Sequence, residues 1–173
     1  MNLFSLPHTK AAAALLVFAF ASAQAADAPS PYAPLKYLVG HCWKGTLPNG
    51  KDVDTHCFRW IYPDKFVRDQ HTAHGEGHPD YLGESTYYFD STTKKLRYLY
   101  VEIDGGTSAG DVEADATTLI FPAATYQENG KTQTYRSRWT RNGDEAYDVV
   151  TEFQKGDKWT PGWTVHMTRV PGA

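Results

Sequence analysis

Histidines are the residues whose chemistry stands out first in this sequence. His71, His74 and His78 lie within eight positions, with the carboxylates of Glu76 and Asp80 nearby. Imidazoles with carboxylates can hold zinc or copper. Their spacing does not match the helical HExxH motif, and strand alternation would place His71 and His74 on opposite faces. Two glycines between the histidines favour a flexible loop. We therefore predict no metal site. In the alternative case, that a metal ion does bind, these three histidines would be its ligands.

Catalysis has little support in the sequence. It contains no glycine-rich phosphate-binding loop after a predicted strand and no cysteine left free to act as a nucleophile. Acidic residues are frequent, but most of them alternate outward or lie near predicted turns. We therefore predict no catalytic residue and a protein that is not an enzyme.

The two cysteines frame the clearest turn signal in the chain. Asn49-Gly50 is the pair preferred by a two-residue type I′ turn, because both central positions need positive φ. With that turn, the numbers of paired residues sum to 99, which places Cys42 opposite Cys57. Directly paired cysteines lie within bridging distance, so we predict a disulfide on the outside of the sheet.

The first 25 residues have the pattern of a secretory signal peptide. Lys10 precedes a continuous apolar run over residues 11–21, and Ala23-Gln24-Ala25 supplies a small-x-small cleavage site. The apolar run is too short to span a bilayer. We therefore predict export to the periplasm or beyond the cell, followed by a flexible arm over residues 26–33.

The charge of the chain argues against nucleic acid as a partner. The formal net charge of the 173 residues is −3, and removal of the leader, whose one charged side chain is Lys10, makes it −4. A mildly acidic chain offers no basic patch for phosphates. No stretch after the leader approaches the length of a membrane span. A small hydrophobic ligand is therefore the expected class of partner, and the oligomeric state is left open.

Strand signals fill the chain from residue 41 onwards. A short helical pattern over residues 34–39 ends at Gly40. Runs rich in aromatic and β-branched residues then recur about every ten to twelve residues, separated by turn signals. We predict strands at 41–47, 51–61, 65–73, 81–90, 95–104, 107–114, 117–122, 131–140, 145–154 and 159–170. Without helices between them, these strands predict an all-β, antiparallel up-and-down barrel of about ten strands, as one domain over residues 34–173.

Strand alternation predicts which side chains face the interior of this barrel. The inward candidates are Trp43, His56, Phe58, Trp60, Tyr87, Leu99, Tyr135, Trp139, Tyr147, Trp163 and Met167. Many aromatic side chains around a few polar groups would suit a cavity for a small hydrophobic or amphipathic ligand. The same side chains could instead fill the interior, which would leave a structural or interaction module. Both interpretations stay open at this point.

The segment from Pro34 to Gly45 resembles the opening of small calycin-like barrels. The shared pattern is Pro-Leu-x-x-Leu in a short helix, followed by Gly40, Trp43 and Gly45 as the first strand begins. It is similar to lipocalin-like secreted bacterial proteins and, more distantly, to nitrobindin-type haem-binding barrels. The resemblance implies a ten-stranded barrel with an internal cavity. The haem-binding branch also implies a histidine on the last strand, for which His166 is the candidate. Alternation places His166 on the polar face, so we predict no cofactor and keep haem as the alternative.

Overall fold

A computed structural model describes residues 30–172 of the chain. The signal peptide predicted over residues 1–25 and the first half of the predicted arm, residues 26–29, lie outside this range. Across the described residues, no helix is both long enough and apolar enough to cross a membrane.

Ten antiparallel strands of the described chain close into a barrel. Strands adjacent in sequence pair with each other, and the first strand also pairs with the last, so the sheet has no free edge. The strands are β1 (Cys42–Thr46), β2 (Val53–Tyr62), β3 (Phe66–His74), β4 (Tyr81–Asp90), β5 (Lys95–Glu102), β6 (Thr107–Ala114), β7 (Thr118–Glu128), β8 (Lys131–Arg141), β9 (Ala146–Lys155) and β10 (Lys158–Arg169). The prediction of an all-β up-and-down barrel of about ten strands is confirmed.

The largest difference from the predicted strands concerns β7, which continues to Glu128 although the prediction ended at residue 122. That residue is Pro122, which cannot donate a ladder hydrogen bond. The register against β8 shifts between Phe121 and Ala124, so an irregularity in the strand accommodates the proline. The strand then resumes toward the open end of the barrel.

The hairpin between β1 and β2 has the predicted register but a different turn. Of the two turn residues only Gly50 has a positive φ, of +72°. The Leu47 N–H donates to the carbonyl of Asp52 at 2.8 Å, so the loop contains four residues rather than two. The predicted two-residue turn and the observed four-residue loop are both centred between Asn49 and Gly50, so both give the same pairing of residues in the two strands. The predicted type I′ turn is therefore wrong, while the predicted pairing is confirmed.

The predicted disulfide joins Cys42 and Cys57, whose Cα atoms lie 4.0 Å apart in directly paired positions. Trp43 pairs with His56 in the same ladder. Because neighbouring residues of a strand point to opposite faces, the disulfide lies on the outer side of the wall, and Trp43 and His56 point into the barrel.

One end of the barrel is covered by the segment before β1. A short 3₁₀ helix (Ala33–Leu35) places Leu35 and then Leu38 in the core, where both are fully buried. The indole N–H of Trp43 donates to the carbonyl of Leu38 at 3.3 Å. Gly40, with a φ of +88°, then turns the chain into the first strand. The predicted helical turn ending at Gly40 is thus present and closes this end of the barrel.

Tyr32 fastens the covering segment to the barrel. Its side chain is 3% exposed. Its hydroxyl accepts a hydrogen bond from the Phe89 N–H at 2.8 Å and donates to the carbonyl of Lys65. Tyr32 belongs to the arm predicted to be flexible, so the described part of that arm is packed against the closed end.

Candidate functional site

The half of the barrel away from the 3₁₀ helix contains a cavity of about 650 Å³ that opens to the surface. Leu47 and Pro48 lie at its rim, and Trp163, 46% exposed, lies at the entrance. Most of the wall is apolar or aromatic, with Phe121, Trp139, Val149, Phe153, Val165 and Met167. An apolar chamber that reaches the surface is the usual form of a small-molecule site.

Six of the eleven predicted cavity residues line this space. They are His56, Tyr87, Tyr135, Trp139, Trp163 and Met167. Trp43, Phe58 and Tyr147 are instead fully buried in the core toward the closed end. Trp60 packs against Tyr32 there, with the ring centroids 5.5 Å apart. These four residues belong to or pack against the core and do not line the cavity.

Leu99 lies on the outer face of β5 and is 48% exposed, so the prediction that it faces inward is wrong. Its neighbours Tyr98 and Tyr100 line the cavity instead. Tyrosine alternates with aliphatic residues along β5, so both faces look apolar in the sequence. The tyrosines take the interior because their hydroxyls have partners there. The Tyr98 hydroxyl lies 2.9 Å from that of Tyr135, and the Tyr100 hydroxyl lies 2.6 Å from that of Tyr81.

Four titratable side chains form a continuous cluster on one side of the cavity. Asp69 Oδ2 lies 2.8 Å from His56 Nδ1, and His56 Nε2 lies 3.0 Å from Asp54 Oδ2. The other oxygen of Asp54 lies 3.1 Å from His71 Nδ1. The two imidazole rings stack with centroids 4.7 Å apart. Both histidines therefore contact the same carboxylate.

Two adjacent strands position this cluster. Asp54 and His56 are two residues apart on β2, and Asp69 and His71 are two residues apart on β3. Residues at this spacing share one face of a strand, which here is the interior. His56 and His71 are direct cross-strand partners. The cluster thus follows from alternation and register together, without a contiguous motif.

The electrostatics of the cluster centre on His56. Burial by itself lowers the pKa of His56, but the carboxylates of Asp69 and Asp54 outweigh burial and raise this pKa to about 10. Burial by itself raises the pKa of Asp54, but hydrogen bonds from His56 and His71 outweigh it and hold this pKa well below its usual range. His56 is therefore an imidazolium ion held between two carboxylates at neutral pH.

Tyrosine hydroxyls extend the cluster along the wall. The Tyr100 hydroxyl lies 3.1 Å from His71 Nε2, and Tyr81 follows it in the network. Burial raises the pKa of Tyr100 well above its usual range, so this phenol remains neutral and able to donate. Gly83 provides the space for this contact. A Cβ at Gly83 would overlap His71 Nε2 and lie 2.7 Å from the Tyr100 hydroxyl.

The remaining histidines of the alternative metal set do not join His71. His74 is exposed and lies 2.6 Å from Asp80, and His78 is exposed and contacts Asp52 at 3.4 Å. The cavity instead brings His71 together with His56. Asp54, His56 and His71 each offer one ligand atom, and these atoms lie within 4.8 Å of one another.

His166, the candidate haem ligand, lies on the outer face of β10. Its side chain is 58% exposed, and its Nδ1 lies 2.6 Å from Asp148 Oδ1. The neighbouring residues Val165 and Met167 point into the cavity. Alternation predicted this orientation, and it leaves no His166 nitrogen available to a group bound inside the barrel.

Sequence reasoning missed Asp54 and Asp69, and it did not place His71 beside His56. The signal was present in the next turn along the chain. Residues paired across β2 and β3 sum to 127 over most of the ladder, as Pro63 and Asp64 do. A turn centred on Pro63-Asp64, treated in the same way as Asn49-Gly50, therefore pairs His56 with His71.

Neither a protein-family model nor a curated protein supplies a role for this cavity. No protein-family model matches the chain, and no curated protein matches it.

Proposed function

We propose that this protein binds a small amphipathic molecule, without covalent chemistry, inside the barrel. The observation that carries the proposal is the cavity of about 650 Å³, which is apolar along most of its wall and charged on one side. Cavities of about 300–1,000 Å³ with apolar walls and a few polar groups are typical of small-molecule sites. The volume favours ligand binding over the alternative of a filled core, and the outward orientation of His166 disfavours haem ligation through that residue.

The charge of the cluster specifies which polar group the ligand carries. Asp54 and Asp69 are carboxylates, and the His56 imidazolium balances one of them. These three groups together carry one net negative charge in an apolar chamber, where charges are weakly screened. An amine or hydroxyl group is therefore favoured over a carboxylate as the polar end of the ligand. The apolar part would pack against the aromatic wall formed by Phe121 and Trp139.

We also propose that the protein works outside the cytoplasm, as a member of the lipocalin-like barrels that its first strand resembles. The pairing of Cys42 with Cys57 supports this location, because disulfides persist mainly in oxidising compartments. The closed ten-stranded barrel with an open end is compatible with that resemblance.

A titration with matched amphiphiles tests the proposed binding. Decylamine, decanol and decanoic acid share one alkyl chain and differ in the polar group. Tryptophan fluorescence should change on addition of decylamine, because Trp139 and Trp163 line the cavity. We expect decylamine to bind more tightly than decanol, and decanoic acid to bind most weakly.

Two neighbouring valines supply the control. Val149 lines the cavity, whereas Val150 is 42% exposed on the outer face of the same strand. Val149→Phe fills part of the cavity and should weaken binding, while Val150→Phe makes the same chemical change outside and should leave it unaltered. Equal effects of the two substitutions, or no saturable binding of any of the three amphiphiles by the folded protein, would refute the proposal.

A further inference from the structure

We propose that Asp54, His56 and His71 form a binding site for a divalent transition-metal ion such as zinc on the charged side of the cavity. This inference goes beyond the binding of an amphipathic molecule. It concerns a different ligand and can fail while that proposal holds.

The distances between the three side chains suit one ion. His56 Nε2 and His71 Nδ1 lie 3.0 and 3.1 Å from the two oxygens of Asp54. Zinc–nitrogen and zinc–oxygen bonds are about 2.0–2.2 Å long, so ligand atoms about 3 Å apart can share one ion. All three ligand atoms lie within 4.8 Å of one another.

The far nitrogen of each histidine is already anchored. His56 Nδ1 lies 2.8 Å from Asp69, and His71 Nε2 lies 3.1 Å from the Tyr100 hydroxyl. Metal-binding histidines usually donate their other ring N–H to a carboxylate or another acceptor, because this contact fixes the tautomer and the orientation of the ring. In the ion-free protein the His56 imidazolium donates to both Asp69 and Asp54. A bound ion would take the place of the proton on His56 Nε2, because imidazole ligands must be deprotonated, while Asp69 and Tyr100 would still hold the far nitrogens of the two rings.

Asp69 gives a second and independent indication that the cluster accepts a cation. Its side chain is 2% exposed and borders the cavity. Its Oδ1 atom is buried without a hydrogen-bond partner among the described residues. In the ion-free protein the His56 imidazolium contacts only the other oxygen of Asp69, Oδ2, at 2.8 Å. A buried carboxylate oxygen without a partner is costly, and a divalent ion bound to His56 would add positive charge on this side of the cavity.

The chemistry of the ligands selects the class of ion. Two imidazoles and one carboxylate suit zinc, copper or cobalt, whereas calcium and magnesium prefer oxygen ligands alone. Three protein ligands leave at least one coordination position free, as in zinc sites that take up a further molecule. Asp54, His56 and His71 all line the cavity, so a free position would face it.

Cobalt titration tests the site directly. The tag-free protein would be treated with chelator, dialysed and titrated with Co²⁺, while the visible absorption of tetrahedral or five-coordinate cobalt is recorded. We expect saturation at one equivalent and loss of the absorption on addition of zinc. Asp54→Asn and His71→Gln should each abolish the saturation of the cobalt absorption at one equivalent. Asp69→Asn, which removes only an anchor, should weaken binding by about 10–100-fold.

The chain offers matched controls on its surface. His74 and His166 each lie 2.6 Å from an aspartate and are exposed. His74→Gln and His166→Gln should leave cobalt binding unchanged. Circular dichroism would check the folding of each variant. If one does not fold, Tyr100→Phe replaces it, because this substitution keeps the ring and removes only the hydroxyl that contacts His71.

The outcomes are decisive in both directions. Absence of saturable binding to the folded wild-type protein, binding that survives Asp54→Asn unchanged, or loss of binding in either surface variant would overturn the proposed site. Loss of binding in Asp54→Asn and His71→Gln, weaker binding in Asp69→Asn and unchanged binding in both surface variants would establish it.

Discussion

The contact between His56 and Asp69 makes a quantitative prediction about stability. His56→Ala removes the imidazolium and leaves the Asp69 carboxylate in the barrel, where it is 2% exposed. The same substitution also removes one of the two histidines that contact Asp54. We therefore expect the free energy of unfolding to fall by much more than the loss of one side chain's packing would cause.

Burial of the pair gives the magnitude. Removing one partner of a buried ion pair costs about 3–5 kcal/mol, because a charge remains buried without compensation. The pKa of His56 is raised to about 10 although burial alone would lower it, so the two carboxylates favour the charged ring. We therefore expect His56→Ala to lower the free energy of unfolding by about 3–5 kcal/mol.

A surface pair and a double variant serve as controls. His166 contacts Asp148 at 2.6 Å but both side chains are largely exposed, so His166→Ala should cost only about 0–1 kcal/mol. Adding Asp69→Leu to His56→Leu removes both charges and should recover most of the loss, since apolar replacements of buried ion pairs are often neutral.

Urea unfolding followed by circular dichroism measures these differences, with chelator present to exclude metal. The midpoint should shift at constant slope if only stability changes. Equal losses for His56→Ala and His166→Ala would refute the account of the cluster, as would a double variant less stable than His56→Ala.

Three further predictions concern the wall and the cluster. Replacing Cys42 and Cys57 by serine should lower the free energy of unfolding by about 3 kcal/mol, because the bridge spans 15 residues; urea unfolding of the oxidised protein and the double variant would measure this, and equal stability would contradict it. Gly83→Ala should shift the NMR signals of His71 while the barrel stays folded, because the added methyl group overlaps that ring; unchanged signals would contradict the geometry. The pKa of His56 is raised, so its stabilisation is fully present below about pH 6.5 and is lost as the pH rises through about 10. Chelator-treated protein should lose stability over that range, whereas His56→Ala should show a smaller loss.

The sequence was sufficient for the barrel because two local signals agreed. Turn residues marked the hairpins, and the cysteine spacing matched the register that Asn49-Gly50 implies. The exact turn could not be predicted, because two-residue and four-residue loops centred on these positions give the same pairing. Alternation also placed Val165 and Met167 inside and His166 outside, since only one face of β10 is apolar there.

Alternation failed where both faces of a strand are apolar. On β5, Leu99 competes with Tyr98 and Tyr100, and the sequence does not show that phenol hydroxyls would find partners inside. The charged cluster was missed for a related reason. Asp54 and Asp69 are polar residues in strands, which suggests exposure. Only the register between β2 and β3, which pairs His56 with His71, places each carboxylate diagonally across from a histidine of the other strand.

The tryptophan side chains report directly on whether the cavity binds an amphipathic molecule. Trp139 and Trp163 line the cavity, whereas Trp43 is buried in the core and Trp60 packs near the closed end. Two-dimensional proton–nitrogen NMR would follow the indole N–H signals during addition of decylamine. We predict that the signals of Trp139 and Trp163 shift in a saturable way while that of Trp60 stays in place. Unchanged signals for both cavity tryptophans in the folded protein would contradict the account.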